Sequence, residues 1–217
     1  DTYWAIRAGE TTARNGRWEQ GPGMGLFRAL RLSLGDMPIV AEDLGEMFPS
    51  VRRLLAESGF PGMKVLQFAF NGQDSVDLPH NYPRNCVAYP GTHDNNTLAG
   101  WYYHELGGAG RKQAKEYFAL TEEEGVLRGL LRGVLASPAA LAVIPMTDWL
   151  EAPAEARMNT PGSPRGNWQW RADDKALTPA LAKEIRTMTA RYFRTEPALK
   201  RQKKWRTHGY NGNAPVW

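Results

Sequence analysis

The stretch NCVAYPGTHDNN, residues 85–96, is informative about the fold, because an apolar run ends there in a histidine, a carboxylate and two amides. A continuous apolar run of this kind is typical of a strand that is buried on both faces of a parallel sheet. In α/β proteins, ligands and catalytic groups gather at the carboxyl ends of such strands. His93 and Asp94 therefore lie where a functional site is expected.

Three further apolar runs share this character, and we predict strands at 38–42, 62–70 and 141–144. The first of them ends at Glu42, and the last runs on to Asp148. Amphipathic patterns predict helices between and after the strands, at 26–34, 50–59, 97–106, 110–119, 122–136 and 178–193. Residues 1–25 show no apolar periodicity and are predicted to form a loop. Strands that alternate with helices favour parallel pairing, so the sequence predicts an α/β fold.

The composition is that of an ordinary globular protein, with 217 residues, 42% hydrophobic and 23% charged. The net charge of +4 is concentrated in the segment ALKRQKKWRTHG, so we predict one domain over 1–194 and a disordered basic tail over 195–217. The alternative for the tail is a contact with nucleic acid or an acidic surface. For the domain itself we expect no nucleic-acid partner, since its charges are near balance.

The compartment is predicted from two weak signals. The single cysteine, Cys86, lies in an apolar run, which predicts a buried, inert thiol and fits a reducing compartment. No signal peptide opens the sequence and no apolar run approaches the length of a membrane span. We therefore expect a cytoplasmic protein with no membrane partner.

Two carboxylates stand out as candidate catalytic groups. Glu42 and Asp94 each follow an apolar run, so strands of one barrel would bring them together at its mouth. Two carboxyl groups about 5–10 Å apart suit cleavage of a glycosidic bond, in which one protonates the leaving oxygen and the other stabilises or attacks the sugar carbon. An acid after a strand is also commonly a helix cap or a solvated loop residue. The pattern favours that second interpretation for Asp43 and leaves both open for Glu42 and Asp94, while for His93 it favours a structural role.

Several motifs, taken in order, resemble the C-terminal half of the 4-α-glucanotransferases (amylomaltases, disproportionating enzymes; glycoside hydrolase family 77). They are YWAIRAGETTARNGRW with GPG, VAEDLG, GFPGMKVLQFAF, LPHNYP, GTHDNNT with GW, and EARMNTPGSPRGNWQWR. The resemblance covers about residues 1–193. It implies the C-terminal half of a (β/α)8 TIM barrel and a retaining double displacement. In that reaction a segment of an α-1,4-glucan donor passes to the 4-hydroxyl of an acceptor glucan.

The resemblance also implies roles for four residues of this sequence. Glu42, in AEDLG, matches the general acid/base, and Asp94, in THDN, matches the third carboxylate, which binds sugar hydroxyls and stabilises the oxocarbenium-like state. His93 matches a histidine that hydrogen-bonds the sugar at the cleavage subsite, and Asn159, in RMNTPG, matches a residue near the same sugar. The substrates would be maltooligosaccharides, and no metal or cofactor is implied.

The nucleophile of the family is an aspartate that precedes the YW motif, and its position falls upstream of Asp1. The first half of the barrel would lie upstream as well. We therefore expect the chain to be inactive unless that half is supplied. The alternatives are an α-glucan hydrolase of the α-amylase clan and a non-catalytic fragment that binds glucan or a partner chain.

Four other side chains have two interpretations each. Trp101, Trp168 and Trp170 could form stacking platforms for glucose rings, although packing in the core is at least as good an interpretation. Trp168 and Trp170 are two residues apart, so on a strand they would share a face. Arg157 either pairs with an active-site acid or anchors the loop that carries Asn159.

Overall fold

The structure, a computed structural model, describes residues 1–45, 47–70 and 75–195. The predicted basic tail therefore lies outside the described residues, apart from Thr195. The strands are β1 (Thr2–Ala5), β2 (Arg17–Gln20), β3 (Gly62–Val65), β4 (Cys86–Tyr89) and β5 (Leu141–Ala142). The helices are α1 (Met24–Leu34), α2 (Pro49–Ser58), α3 (Leu98–Gly100), α4 (Gly108–Phe118), α5 (Val126–Ala136), α6 (Met146–Trp149) and α7 (Pro179–Arg191). A π-helical turn, Trp101–Glu105, continues α3.

A three-stranded sheet with the order β3-β4-β5 confirms the mixed α/β fold. The backbone N–H of Ala140 donates to Arg84 O, and that of Val143 donates to Ala88 O, each at 2.9 Å. Because the bonded positions advance together along the chain, β4 and β5 run parallel. The strands are shorter than predicted. Pro90 directly follows β4 and has no N–H to donate, although its carbonyl still accepts the Gln67 N–H at 3.1 Å.

The strand predicted at 38–42 is wrong. Ala41 N–H donates to Pro61 O at 2.9 Å, and no other backbone hydrogen bond joins this segment to the described residues. Pro38 has no N–H, and Val40 is exposed. The segment is apolar in sequence, but it lacks the ladder of bonds that defines a strand.

The loop predicted over residues 1–25 is also wrong in part, because β1 and β2 form an antiparallel hairpin. Trp4 pairs across the hairpin with Trp18, and Tyr3 pairs with Glu19. The two indole rings meet edge to face with centroids 5.3 Å apart, and Tyr3 Oη donates to Glu19 Oε2 at 3.0 Å. Such cross-strand pairs stabilise short strands. Each strand has only four residues, too few to register as periodicity.

The helix predictions are confirmed, including the start of the last helix. Thr178 Oγ1 accepts a hydrogen bond from Leu181 N–H at 3.1 Å, and Pro179 occupies the first turn of α7. Gly59 ends α2 in the left-handed conformation, at φ 71°. Within the described residues, no helix combines the length and the apolarity that a membrane crossing requires.

The chain divides into two compact units. Among the described residues, the first comprises 1–45, 47–64, 83–87 and 139–141, and the second comprises 65–70, 75–82, 88–138 and 142–195. Glu42 belongs to the first unit, whereas His93, Asp94 and Asn159 belong to the second. Cys86 is buried, as predicted.

The core of the second unit is centred on α5. Leu130, Leu131 and Val134 of this helix are fully shielded from solvent. Gly133 allows close packing, since a Cβ there would overlap the ring of Phe118. The apolar face of α5 is therefore a main source of stability in this unit.

Leu130→Ala is expected to lower the free energy of unfolding by about 2–5 kcal/mol, because Leu130 is 0% exposed and the truncation leaves a cavity. Urea denaturation followed by circular dichroism measures the change. Leu32→Ala is the matched control, since Leu32 is 88% exposed and its loss is expected to change stability by less than about 0.5 kcal/mol. Equal effects of the two substitutions would contradict the assignment of this core.

Candidate functional site

The turn after β4 presents His93 and Asp94 to solvent. Asn95 Oδ1 accepts hydrogen bonds from Thr92 N–H and Thr92 Oγ1–H, both at 2.9 Å. Asp94 N–H donates back to Thr92 Oγ1 at 3.3 Å. These bonds close a tight polar turn, so the side chains of His93 and Asp94 point outward and are 53% and 47% exposed.

Asn159 joins this pair from a second loop. Its side-chain amide donates to Asp94 Oδ1, and its backbone N–H donates to His93 O at 3.1 Å. His93 Nε2 lies 3.4 Å from the same carboxylate oxygen of Asp94. The structure thus brings together three of the four residues that the sequence predicts for the site.

Trp168 lies against His93 with ring centroids 5.1 Å apart and planes inclined by 36°. Its backbone has φ 62°, an uncommon conformation for a bulky residue, and its N–H donates to Met158 O at 2.7 Å. The indole is 54% exposed, so packing in the core is the wrong interpretation for Trp168. That interpretation is right for Trp101, which is buried.

A cavity of about 240 Å³ adjoins this cluster in the second unit. Its wall combines aromatic rings with polar side chains, among them His93, Asn96, Thr147, Arg157, Trp168 and Trp170. Trp168 and Trp170 both line it, although the segment between them is not a strand. Aromatic faces next to hydrogen-bonding groups suit a ligand that has both C–H faces and hydroxyls.

Asp148 lines the cavity, and no motif of the sequence assigns it a role. It lies in α6, is 2% exposed, and its Oδ1 accepts the Leu98 N–H at 2.9 Å. Burial raises the pKa of this carboxyl to about 6. The hydrogen bonds from Leu98 and Thr147 lower the pKa, but their effect is smaller than that of burial. Its place at the end of the run LAVIPMTD was the available signal.

Arg157 links the two loops through their backbones. Its Nη2 donates to Asp94 O at 2.7 Å and its Nε donates to Asn159 O at 3.0 Å. Its Nη1 lies 3.8 Å from Glu105 Oε1. Arg157 therefore anchors the loops and pairs with Glu105, not with the carboxylate of Asp94. Nothing in the local sequence pattern marks Glu105.

Glu42 and Asp43 differ in their surroundings. Asp43 Oδ1 accepts the Met63 N–H at 2.6 Å, and a Cβ on Gly62 would overlap this carboxylate. Asp43 thus binds its segment to the start of β3 through a hydrogen bond. The prediction that Asp43 is a helix cap or a solvated loop residue is wrong. Glu42 is exposed and its carboxylate bonds to no residue that the structure describes. Its distance from Asp94 across a site stays a prediction.

The sequence of this chain matches a known protein family. The family pattern described as 4-alpha-glucanotransferase matches residues 1–177. The chain belongs to this family. A 4-alpha-glucanotransferase of Clostridium butyricum is 46% identical over 197 residues, which are 90% of this chain and 40% of that protein. The Thermus thermophilus enzyme is 44% identical over 195 residues, 87% of this chain and 39% of that protein.

Solved structures agree with the family assignment. The amylomaltase of Streptococcus agalactiae in complex with acarbose matches with a TM-score of 0.84 and 38% identity, over 90% of this chain and 40% of that one. The amylomaltase of Corynebacterium glutamicum, at 20% identity and a TM-score of 0.63, supports the fold alone; it is matched over 88% of this chain and 34% of its own. The chain thus spans about 40% of the length of the Clostridium butyricum enzyme and of the Streptococcus agalactiae amylomaltase.

Proposed function

We propose that this chain is the C-terminal part of a 4-α-glucanotransferase that moves segments of α-1,4-glucans between maltooligosaccharides by a retaining double displacement. The observation that carries the proposal is the cluster of His93, Asp94 and Asn159, joined by hydrogen bonds on two loops beside an aromatic cavity. The similarity to an amylomaltase whose structure contains acarbose supports a glucan as the ligand.

Each residue has a defined task in this proposal. Glu42 protonates the leaving glycosidic oxygen and then deprotonates the acceptor 4-hydroxyl. Asp94 Oδ1 accepts a hydrogen bond from Asn159, so Oδ2 is the oxygen that binds a sugar hydroxyl. The interaction between this carboxylate and the sugar becomes stronger as positive charge develops on the ring. His93 and Asn159 orient the same sugar, while Trp168 covers its apolar face.

The remaining catalytic part comes from the portion of the relatives that this chain does not span. We propose that it completes a (β/α)8 barrel with residues 1–194 and supplies the nucleophilic aspartate. Exposed apolar side chains of the first unit, such as Leu32, Leu34 and Trp18, are consistent with a face that this portion covers.

We also propose a cytoplasmic protein without nucleic-acid or membrane partners, on the strength of the buried Cys86. A potato relative, 40% identical over 196 residues that make up 88% of this chain and 34% of that protein, is named chloroplastic/amyloplastic. The compartment of this chain is therefore not fixed by its family and is best determined by fractionation.

The decisive experiment supplies the missing portion. The chain is incubated with maltotriose alone, and again with the preceding part of the Clostridium butyricum relative as a separate polypeptide. Chromatography is expected to show no products in the first case, and glucose with longer maltodextrins in the second. Reducing ends that rise without longer products would indicate the hydrolase alternative. Binding of maltotriose without turnover in both cases, while the intact relative is active, would indicate a non-catalytic fragment.

A further inference from the structure

We propose that Glu105 is a positioning residue, whose carboxylate orients Asn96 and Arg157 so that Arg157 holds the loops of Asp94 and Asn159 in register. Its consequence for catalysis rests on the proposed function. The positioning itself is a property of this chain and is testable without any activity.

The π-helical turn Trp101–Glu105 sets the place of Glu105. Leu106 N–H donates to Trp101 O at 2.8 Å, the longer reach that distinguishes a π turn from an α turn. Such a turn inserts one residue and re-aims the side chains that follow. Glu105 at its end receives a hydrogen bond from Asn96 Nδ2 at 2.7 Å, with Arg157 Nη1 3.8 Å from the same oxygen.

The second step runs through the planar guanidinium of Arg157. Its donors have a fixed geometry, and the ionic contact with Glu105 at 3.8 Å, longer than a hydrogen bond, favours one orientation of the guanidinium plane. Two of these donors bond to the carbonyl oxygens of Asp94 and Asn159, at 2.7 and 3.0 Å. Glu105 is the anion on the third side. Without it, water competes for the partly buried cation and its orientation is less restricted.

Asn96 provides a second connection from Glu105 to the same turn. Its side chain donates to Glu105, and its backbone carbonyl accepts from Gln67 Nε2 at 2.9 Å. Asn96 follows Asp94 by two residues, so Glu105 restrains the turn of Asp94 from its C-terminal side as well. The side-chain bond between Asn159 and Asp94 depends on the register of both loops.

The test on the chain itself uses ¹⁵N-labelled protein. Glu105→Ala is expected to shift the Arg157 Nε–H and the Asn159 side-chain amide resonances, and to speed exchange of the Arg157 Nε–H with water at least about 10-fold. Glu105→Gln keeps an acceptor oxygen and is expected to recover part of both. Glu116→Ala is the matched control, because Glu116 is 70% exposed and its ion pair with Lys112, at 4.0 Å, joins two residues of the same helix, α4. Resonances and exchange that are unchanged in Glu105→Ala would overturn the proposal.

The catalytic consequence is measured in the reconstituted enzyme. Glu105→Ala is expected to lower kcat about 10- to 100-fold, with KM within about 3-fold, because misplacement of Asp94 affects the transition state more than ground-state binding. Glu105→Gln should regain part of kcat, and Glu116→Ala should match the unmodified protein. An unchanged kcat in Glu105→Ala would overturn the proposed consequence. If the unmodified protein shows no transfer, the proposed function fails, while the resonances still decide the positioning.

Discussion

Glu42→Gln is expected to lower glucan transfer by at least about 10³-fold in the enzyme reconstituted from this chain and the preceding part of the Clostridium butyricum relative. General acid/base catalysis contributes about 10²–10⁴-fold, and here one group must donate a proton and then accept one. Glutamine keeps the shape of the side chain but does neither. The measurement is the initial rate of glucose release from maltotriose.

The substitution isolates chemistry from folding. Glu42 is exposed and makes no bond with a described residue, so Glu42→Gln is expected to change the free energy of unfolding by less than about 0.5 kcal/mol. Glu57→Gln is the control on the same unit, since Glu57 is an exposed residue of α2. It should keep its rate within about 2-fold. A Glu42→Gln enzyme with more than a tenth of the original rate would assign the acid/base role to another residue.

The helices could be predicted from the sequence because their signals are local. The Thr178 cap, with Pro179 after it, is complete within a few residues and forms as predicted. A strand depends on a neighbour, and the segment 38–42 shows the limit. Its composition is that of a buried strand, yet Ala41 alone donates to another described segment. The hairpin of β1 and β2 is the opposite case, because it forms where the sequence pattern predicted a loop. Its cross-strand pairs, such as Trp4 with Trp18, cannot be recognised from either strand alone.

The residues of the site also include some that were predicted from the sequence and some that were not. His93, Asp94 and Asn159 were predicted because they lie in motifs, and the structure brings them together. The roles of Arg157 and Asp148 arise from bonds to residues 63 and 50 positions away, Asp94 and Leu98. Neither periodicity nor local motif carries such a contact. The sequence therefore left the role of Arg157 open between pairing with an acid and anchoring its loop, and it assigned no role to Asp148.

The second large effect is a dependence of stability on pH that originates from Asp148. Burial raises the pKa of its carboxyl to about 6 in the folded chain, from 3.8 as a reference for the unfolded chain. Between these values the folded state keeps a proton that the unfolded state has lost, so stability falls as pH rises. The loss amounts to about 2 kcal/mol from pH 4 to pH 7. Asp148→Asn carries no charge and is expected to remove this part of the pH dependence.

Urea denaturation at several pH values from 4 to 8 measures the difference in the free energy of unfolding between the parent and Asp148→Asn. The contributions of all other titrating groups cancel in this difference. Near pH 4 the variant should match the parent within about 1 kcal/mol, because a neutral carboxyl and an amide both accept the Leu98 N–H. At pH 8 it should be more stable by about 2 kcal/mol. Asp36→Asn is the control, since that side chain is 88% exposed, and it should give no such pH-dependent gain. A variant that is less stable at pH 8 would mean that the ionised carboxylate is stabilised in the fold. A gain would mean that the chain keeps a destabilising charge beside the Asp94 loop, which fits a group retained for the site and not for stability.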